Sequence, residues 1–284
     1  MSEQAAPRRA PSLPRQAEPS DQPRRRAHRL VVVLGGGLGD QLFQWAFAET
    51  LRGRTTRLVA DATRCRPLQI EPLLDGWSRL HRVDLGRRVW PGYVVERRPG
   101  YDEDLLVRAR TGRYLVGAFR SLRYFGAEQD RVRSTVLGFA EDGLTGDGRA
   151  VLRYLRQADD VVAVHVERHG RLPGSYYRQA FTGLAGQGFR RRLWVSDDPP
   201  WVARTLAAPD DLLLEDSLVS TQAGRMGLMS ACRGRVLSTS TSAWWAGFLG
   251  RQPGEDGAVV APARWFVQER LSPADLLAPG WQLR

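Results

Sequence analysis

Short unbroken apolar runs alternate along this chain with stretches in which apolar residues recur every three or four positions, most regularly beyond residue 157. The runs predict buried strands at 161–166, 192–196, 211–215, 235–239 and 258–261, and the spacing between them predicts helices near 176–185, 199–207, 221–233 and 241–249. Such alternation is what βα units on a parallel sheet require, since each strand is covered on both faces while each helix buries one side. Residues 158–284 therefore read as a Rossmann-like domain.

The first half is less regular. Leu30-Val-Val-Val-Leu34 predicts a buried strand, then comes the turn Gly35-Gly-Gly-Leu-Gly39, an amphipathic helix from Asp40 to Leu51, and a second strand at Arg57-Leu-Val-Ala-Asp61. Between residues 65 and 157 the clearest strand is Tyr114-Leu-Val-Gly-Ala-Phe119, which places a domain boundary near Gln157 and an N-terminal α/β domain at 29–157. Residues 1–28 are rich in Pro, Arg and Gln and lack the hydrophobicity that would offset their ordering entropy, so a disordered basic tail is expected. Two α/β halves of similar size predict a ligand cleft between them.

Charge narrows the partner. The formal charge is +11, but seven arginines against Glu3, Glu18 and Asp21 put +4 into the first 29 residues and leave +7 for the rest. That remainder is modest and suits an anionic small molecule at least as well as nucleic acid, so a nucleic-acid partner is not expected. Every basic side chain is arginine, which fits a GC-rich bacterial genome and excludes both Schiff-base lysine chemistry and a P-loop. Cys65 and Cys232 stand far apart in no metal-ligand spacing, so a reducing cytoplasm and no metal site are expected. No apolar stretch reaches the length of a membrane span, and no nucleophile elbow or metalloprotease helix is present.

Candidate chemistry sits at strand ends, where α/β proteins bind ligands. Gly36, Gly37 and Gly39 with Gln41 form a glycine-rich turn opening a helix, where backbone N–H groups can point at phosphate. The position of a third dinucleotide-fingerprint glycine holds Asp40, and Asp61 closes a second strand at a distance suited to a ribose. His165, Glu167, Arg168 and His169 follow the run Val161-Val-Ala-Val164, and a guanidinium there can bind a diphosphate bidentately. Asp197 and Asp198 end another strand, where one caps the next helix and the other is open to a base or sugar. Ser238, Ser240 and Thr241 belong to five consecutive hydroxyl residues on a strand-to-helix turn, more than a cap needs. Trp244 and Trp245 read as core and cleft wall, and Asp102-Glu-Asp104 lacks the apolar strand that should precede a metal-binding DxD.

Taken in order, these segments resemble the α-1,2-fucosyltransferase family over about residues 30–284. Gly36-Gly-Leu-Gly-Asp-Gln-Leu-Phe-Gln-Trp-Ala-Phe47 is similar to its GGLGNQxFQYAF, and Gly117-Ala-Phe-Arg-Ser-Leu-Arg-Tyr-Phe125 to its GYxQSxKYF. Val164-His-Val-Glu-Arg-His-Gly170 stands where the family has VHxRRGD, followed by Tyr176-Tyr177, and Val195-Ser-Asp-Asp-Pro199 with Trp201 matches FSDDxxW. Leu228-Met-Ser-Ala-Cys232, the hydroxyl run, Ala261-Pro-Ala-Arg-Trp-Phe266 and Pro279-Gly-Trp281 complete the order. The resemblance implies a GT-B-like fold of two Rossmann-like domains with an interdomain cleft. It also implies a GDP-sugar co-substrate held mainly by the C-terminal domain, a hydroxyl-bearing acceptor, no metal cofactor, and inversion at the anomeric carbon. Arg168 would then stabilise the leaving diphosphate, His165 would hold the site's geometry, and Ser240 with Thr241 would receive phosphate oxygens.

Three positions depart from the family. Its first arginine is Glu167, its aspartate is Gly170 and its loop asparagine is Asp40, and the first and last exchanges make a phosphate pocket more negative. Two ionised carboxylates facing a diphosphate would cost on the order of several kcal/mol, so they point elsewhere or serve as a general base or a hydroxyl or amine ligand. The leading expectation is a transferase with altered substrates, moving fucose or a related deoxysugar. Two other readings stand beside it: a catalytically degenerate nucleotide- or polyanion-binding protein, and an NAD-dependent oxidoreductase.

Overall fold

The computed structural model describes residues 28–52, 56–63, 65–79, 92–168, 172–265 and 274–284. The expected tail, apart from His28, lies outside them, as do His169, Gly170 and Phe266.

The first sheet begins with β1 (His28–Val33), which leads through the glycine turn into α1 (Leu38–Thr50) and back to β2 (Thr56–Asp61). Short strands β3 (Ser78–Arg79) and β4 (Tyr93–Val95) follow, then α2 (Glu103–Ala109) and β5 (Tyr114–Val116). The strands run parallel in the order β3-β2-β1-β5-β4. Asp102 accepts the Leu105 N–H at 3.0 Å as the cap of α2 and pairs with Arg108, so the DxD-like sequence is a helix start.

Two helices, α3 (Gln129–Asp142) and α4 (Gly146–Gln157), connect to the second sheet and pack on a helix of that half. That half contains β6 (Val161–Val166), α5 (Gly174–Leu184), β7 (Arg191–Ser196), α6 (Pro199–Thr205), β8 (Leu212–Leu213) and α7 (Gln222–Ala231). It ends with β9 (Gly234–Val236), α8 (Thr241–Leu249), β10 (Ala258–Ala261) and β11 (Gln282–Leu283). Its strands are parallel in the order β11-β10-β9-β6-β7-β8. Two parallel sheets with helices packed on them form the GT-B-like arrangement.

Strand β6 shows why the second sheet forms. Val161 and Ala163 join the large core, Val162, Val164 and Val166 join the core on the opposite face, and each is buried. The large core continues across both halves through α1, which is buried along nearly its whole length rather than on one face as the sequence predicts. The reason is position, since α1 packs against α8 of the other half. Phe43 lies 4.6 Å from Trp244 and 5.1 Å from Trp245, and Phe125 stacks on Trp245 at 5.7 Å. These aromatic contacts fix the two helices against each other.

Candidate functional site

Helices α1 and α8 meet at their first turns. A methyl group on Gly39 would lie 2.5 Å from Thr241 Oγ1 and 2.6 Å from Ser242 N, so only glycine permits this approach. Trp245 Nε1 donates to Gly39 O at 2.9 Å and locks it. Neither Gly37 nor Ser240, the residues before the two helices, makes a side-chain cap, so first-turn amides of both helices remain available.

These turns border a cavity of about 480 Å³ between the halves, within the range of small-ligand pockets. Its wall takes Gly37, Leu38, Gln69 and Arg120 from the first half, and His165, Glu167, Asp197, Arg225, Ser240 and Thr241 among others from the second. Strand ends and helix starts thus supply most of it, as the parallel topology requires.

The hydroxyl turn is organised around Ser238, which is buried. Its Oγ lies 2.8 Å from His165 Nδ1, accepts the Ser240 N–H at 3.1 Å, and donates to Glu167 Oε2 at 3.3 Å. Because serine has one proton and a carboxylate only accepts, the network is satisfied when His165 carries its proton on Nδ1 and keeps the lone pair on Nε2. Burial pushes the His165 pKa down to about 4, an effect opposed by the Asp197 carboxylate and reinforced by Arg225. The ring is therefore neutral at pH 7. Tyr176 donates to Leu237 O at 2.6 Å and ties the turn to α5.

Other expected site residues are placed differently. Arg168 is exposed and does not line the cavity; its backbone N–H donates to Asp197 Oδ1 at 2.7 Å, because the chain turns outward after β6. Gln41 is fully buried and occupied by backbone, donating to Gly36 O and Pro67 O and accepting the Gln69 N–H, so it staples the glycine turn to the next loop. Gly36 has φ +77°, and a methyl there would meet Asp40 Cβ at 2.8 Å. Asp198 caps α6 by accepting the Trp201 N–H, so of these two aspartates Asp197 is the one on the cavity wall, beside Glu167. Asp61, expected to reach a ribose, is buried and does not line the cavity; its Oδ1 takes the Thr63 N–H and hydroxyl, while its Oδ2 is buried with no hydrogen-bond partner.

Asp40 is the most informative of these. Arg120 grips it bidentately, Nε to Oδ1 at 2.8 Å and Nη2 to Oδ2 at 2.9 Å. Arg120 stands where the resembling family's segment has glutamine and Asp40 where it has asparagine, and here the two charged residues form an ion pair. The added carboxylate is compensated on the spot.

Arg120 and Arg225 are cavity-lining residues that sequence reasoning missed. A signal for Arg225 existed: it sits in the first turn of α7, where a cation opposes the helix dipole. Its partner there is Asp216. Among the described residues no cluster of three or more His, Cys, Asp or Glu could hold a metal ion, and no helix is long and apolar enough to cross a membrane.

Residues 175–283 match the family model Glycosyl transferase family 11. The O-antigen biosynthesis glycosyltransferase WbnK of Escherichia coli is 33% identical over 117 residues, 40% of this chain and 38% of that protein, so the match spans well under half of that relative. An α-1,2-colitosyltransferase of Escherichia coli is 22% identical over 295 residues, covering 89% of this chain and 97% of its own. Among solved structures, an Arabidopsis thaliana FUT1 mutant in complex with GDP is similar at 14% identity and TM-score 0.43, over 79% of this chain and 69% of that chain. A glycosyl transferase family 9 protein from Veillonella parvula is similar at 11% identity and TM-score 0.42, over 83% and 81%.

Proposed function

For this divergent member of the α-1,2-fucosyltransferase-like glycosyltransferases, we propose transfer of fucose or a related deoxysugar from a GDP-sugar to a hydroxyl of a small or oligosaccharide acceptor. The transfer inverts the anomeric carbon and uses no divalent metal. One observation carries this reading: Arg225, Arg120 and the uncapped start of α8 border a single cavity of ligand size.

The chemistry follows from where charge develops. As the bond from the anomeric carbon to the diphosphate oxygen breaks, its electron pair moves onto the leaving phosphate. Arg225 and the first-turn amides of α8 stabilise that charge, with Ser240 and Thr241 adding hydroxyl hydrogen bonds. The acceptor oxygen attacks from the opposite face and gives up its proton, for which the Glu167 carboxylate on the cavity wall is the base. His165, neutral, holds Ser238 and through it the turn.

Calorimetric titration tests the assignment. Wild-type protein is expected to bind GDP in preference to UDP, dTDP and ADP, and NAD is expected not to bind. Arg225→Ala removes a charge-assisted contact of about 1.5–3 kcal/mol, so GDP should bind roughly 10- to 100-fold more weakly. Unchanged affinity in that variant removes Arg225 from the site, and wild-type indifference to GDP removes the GDP-sugar reading altogether.

A further inference from the structure

From the geometry we infer that Glu96 is a positioning residue that aims Arg120 into the cavity. The inference rests on the reading of that cavity as the diphosphate site. Glu96 follows β4 at the carboxyl edge of the first sheet, and its N–H continues the ladder to Val116 O at 2.9 Å. Its Oε2 accepts two successive backbone N–H groups, Ala118 at 2.7 Å and Phe119 at 3.0 Å.

The turn so gripped is strained. Phe119 has φ +53°, a left-handed conformation that costs a bulky L-residue about 1–3 kcal/mol unless the surroundings impose it. They do so from three sides. The ring is fully buried and packs on Phe47 at 4.9 Å. Gly117 admits the Glu96 side chain, since a methyl there would lie 2.5 Å from Glu96 Cβ and 2.7 Å from the Phe119 ring. Gln44 donates to Gly117 O at 2.9 Å, and the Ser121 N–H donates to Phe119 O at 2.8 Å.

Arg120 lies between these fixed neighbours, and its side chain reaches both Asp40 and the cavity wall. Glu96 keeps its place at a cost, because Oε1 is buried with no hydrogen-bond partner. Desolvation raises its pKa against the two N–H bonds and Arg120, which lower it, while Asp40 raises it further. A half-buried carboxylate with one oxygen left unpartnered, set on a strained turn whose next residue is a cavity cation, marks a device for orientation rather than for packing.

A double-mutant cycle on GDP affinity decides the point. Glu96→Leu is expected to raise the GDP Kd about tenfold in the wild-type background, equivalent to about 1.4 kcal/mol, and to leave it unchanged in an Arg120→Ala background. Equal affinity of Glu96→Leu and wild type, or the same tenfold loss in both backgrounds, overturns the inference. If Glu96→Leu does not fold, Glu96→Gln keeps one acceptor oxygen and should weaken GDP about threefold, again only while Arg120 is present. A wild-type protein that ignores GDP brings down the site reading as well, whereas GDP binding untouched by the Glu96 variants brings down this inference alone.

Discussion

Exchanging Asp40 and Arg120 for the neutral asparagine and glutamine that the resembling family has at these positions should produce effects of opposite sign in the two single variants. The pair is bidentate at 2.8 and 2.9 Å, with the side chains 32% (Arg120) and 15% (Asp40) exposed, between the surface and buried limits. Arg120→Gln leaves Asp40 as an uncompensated carboxylate at the cavity edge. At a separation of about 8 Å from two phosphate charges and an effective dielectric constant of about 40, that carboxylate opposes GDP by about 2 kcal/mol, roughly 30-fold in Kd. Asp40→Asn keeps the cation and removes the anion, so GDP should bind about 5- to 30-fold more tightly. The double variant restores the original sum of charges and should return to within about threefold of wild type. Titration calorimetry of the four proteins at low salt measures all four constants, and raising the salt should shrink both single effects. If both single variants weaken GDP and the double variant weakens it by their sum, the pair acts only as a structural clamp. Charge at the cavity edge then does not set GDP affinity.

Two further outcomes bear on the same site. His165 has a folded pKa of about 4 against about 6.5 unfolded, so the unfolded chain takes up the proton first and stability falls by up to about 3 kcal/mol as pH drops from about 6.5 to 4. Glu96, raised on folding, acts in the opposite sense. Urea midpoints at pH 7 and 4.5 should therefore separate wild type from His165→Gln, whose loss on acidification is smaller; parallel losses contradict the assignment. Gly39→Ala drives a methyl into Thr241 and Ser242, forcing the first turns of α1 and α8 apart at a cost of about 1–3 kcal/mol. Gly37→Ala meets nothing within 4 Å and should stay within about 0.5 kcal/mol by the same denaturation measurement, so equal costs for the two would mean the helices do not meet as described.

The parts of the fold legible in the sequence are those whose burial leaves no choice of pattern. Strand β6 at 161–166 and β10 at 258–261 coincide with their apolar runs because both faces of the strand are covered. Strands β3 and β4 have two and three residues, too few for any period to show. Helix α3 buries only Val132, Val136 and Ala140, so its apolar stripe disappears among arginines and acids. The site divides in the same way. His165, Glu167, Asp197, Ser240 and Thr241 were accessible from their places at strand and helix ends, whereas Arg120 and Arg225 were hidden by composition. In a chain whose 42 basic residues are all arginine, one more arginine carries no contrast, and only its setting distinguishes it.

That setting also separates the two cations by what each must give up to meet a phosphate. Arg225 pairs with Asp216, whose side chain is 81% exposed, and such a pair contributes little in water. Its guanidinium also stands against the α7 dipole, at a cost of some tenths of a kcal/mol that an incoming anion would offset. Exchanging Asp216 for a phosphate oxygen is therefore nearly free. Arg120 is bound to a carboxylate that is itself mostly buried, and releasing it would strand that charge. In the proposed reaction Arg120 would act through its field and remaining N–H groups while keeping Asp40, whereas Arg225 would leave its partner and follow the leaving group. With Glu167 in place of a strand-end arginine, the positive charge reaches the cavity from α7 and from the turn before Ser121. On the proposed reading, a diphosphate between them would be gripped by both halves of the molecule, and the strand end would be left to the acceptor side of the reaction.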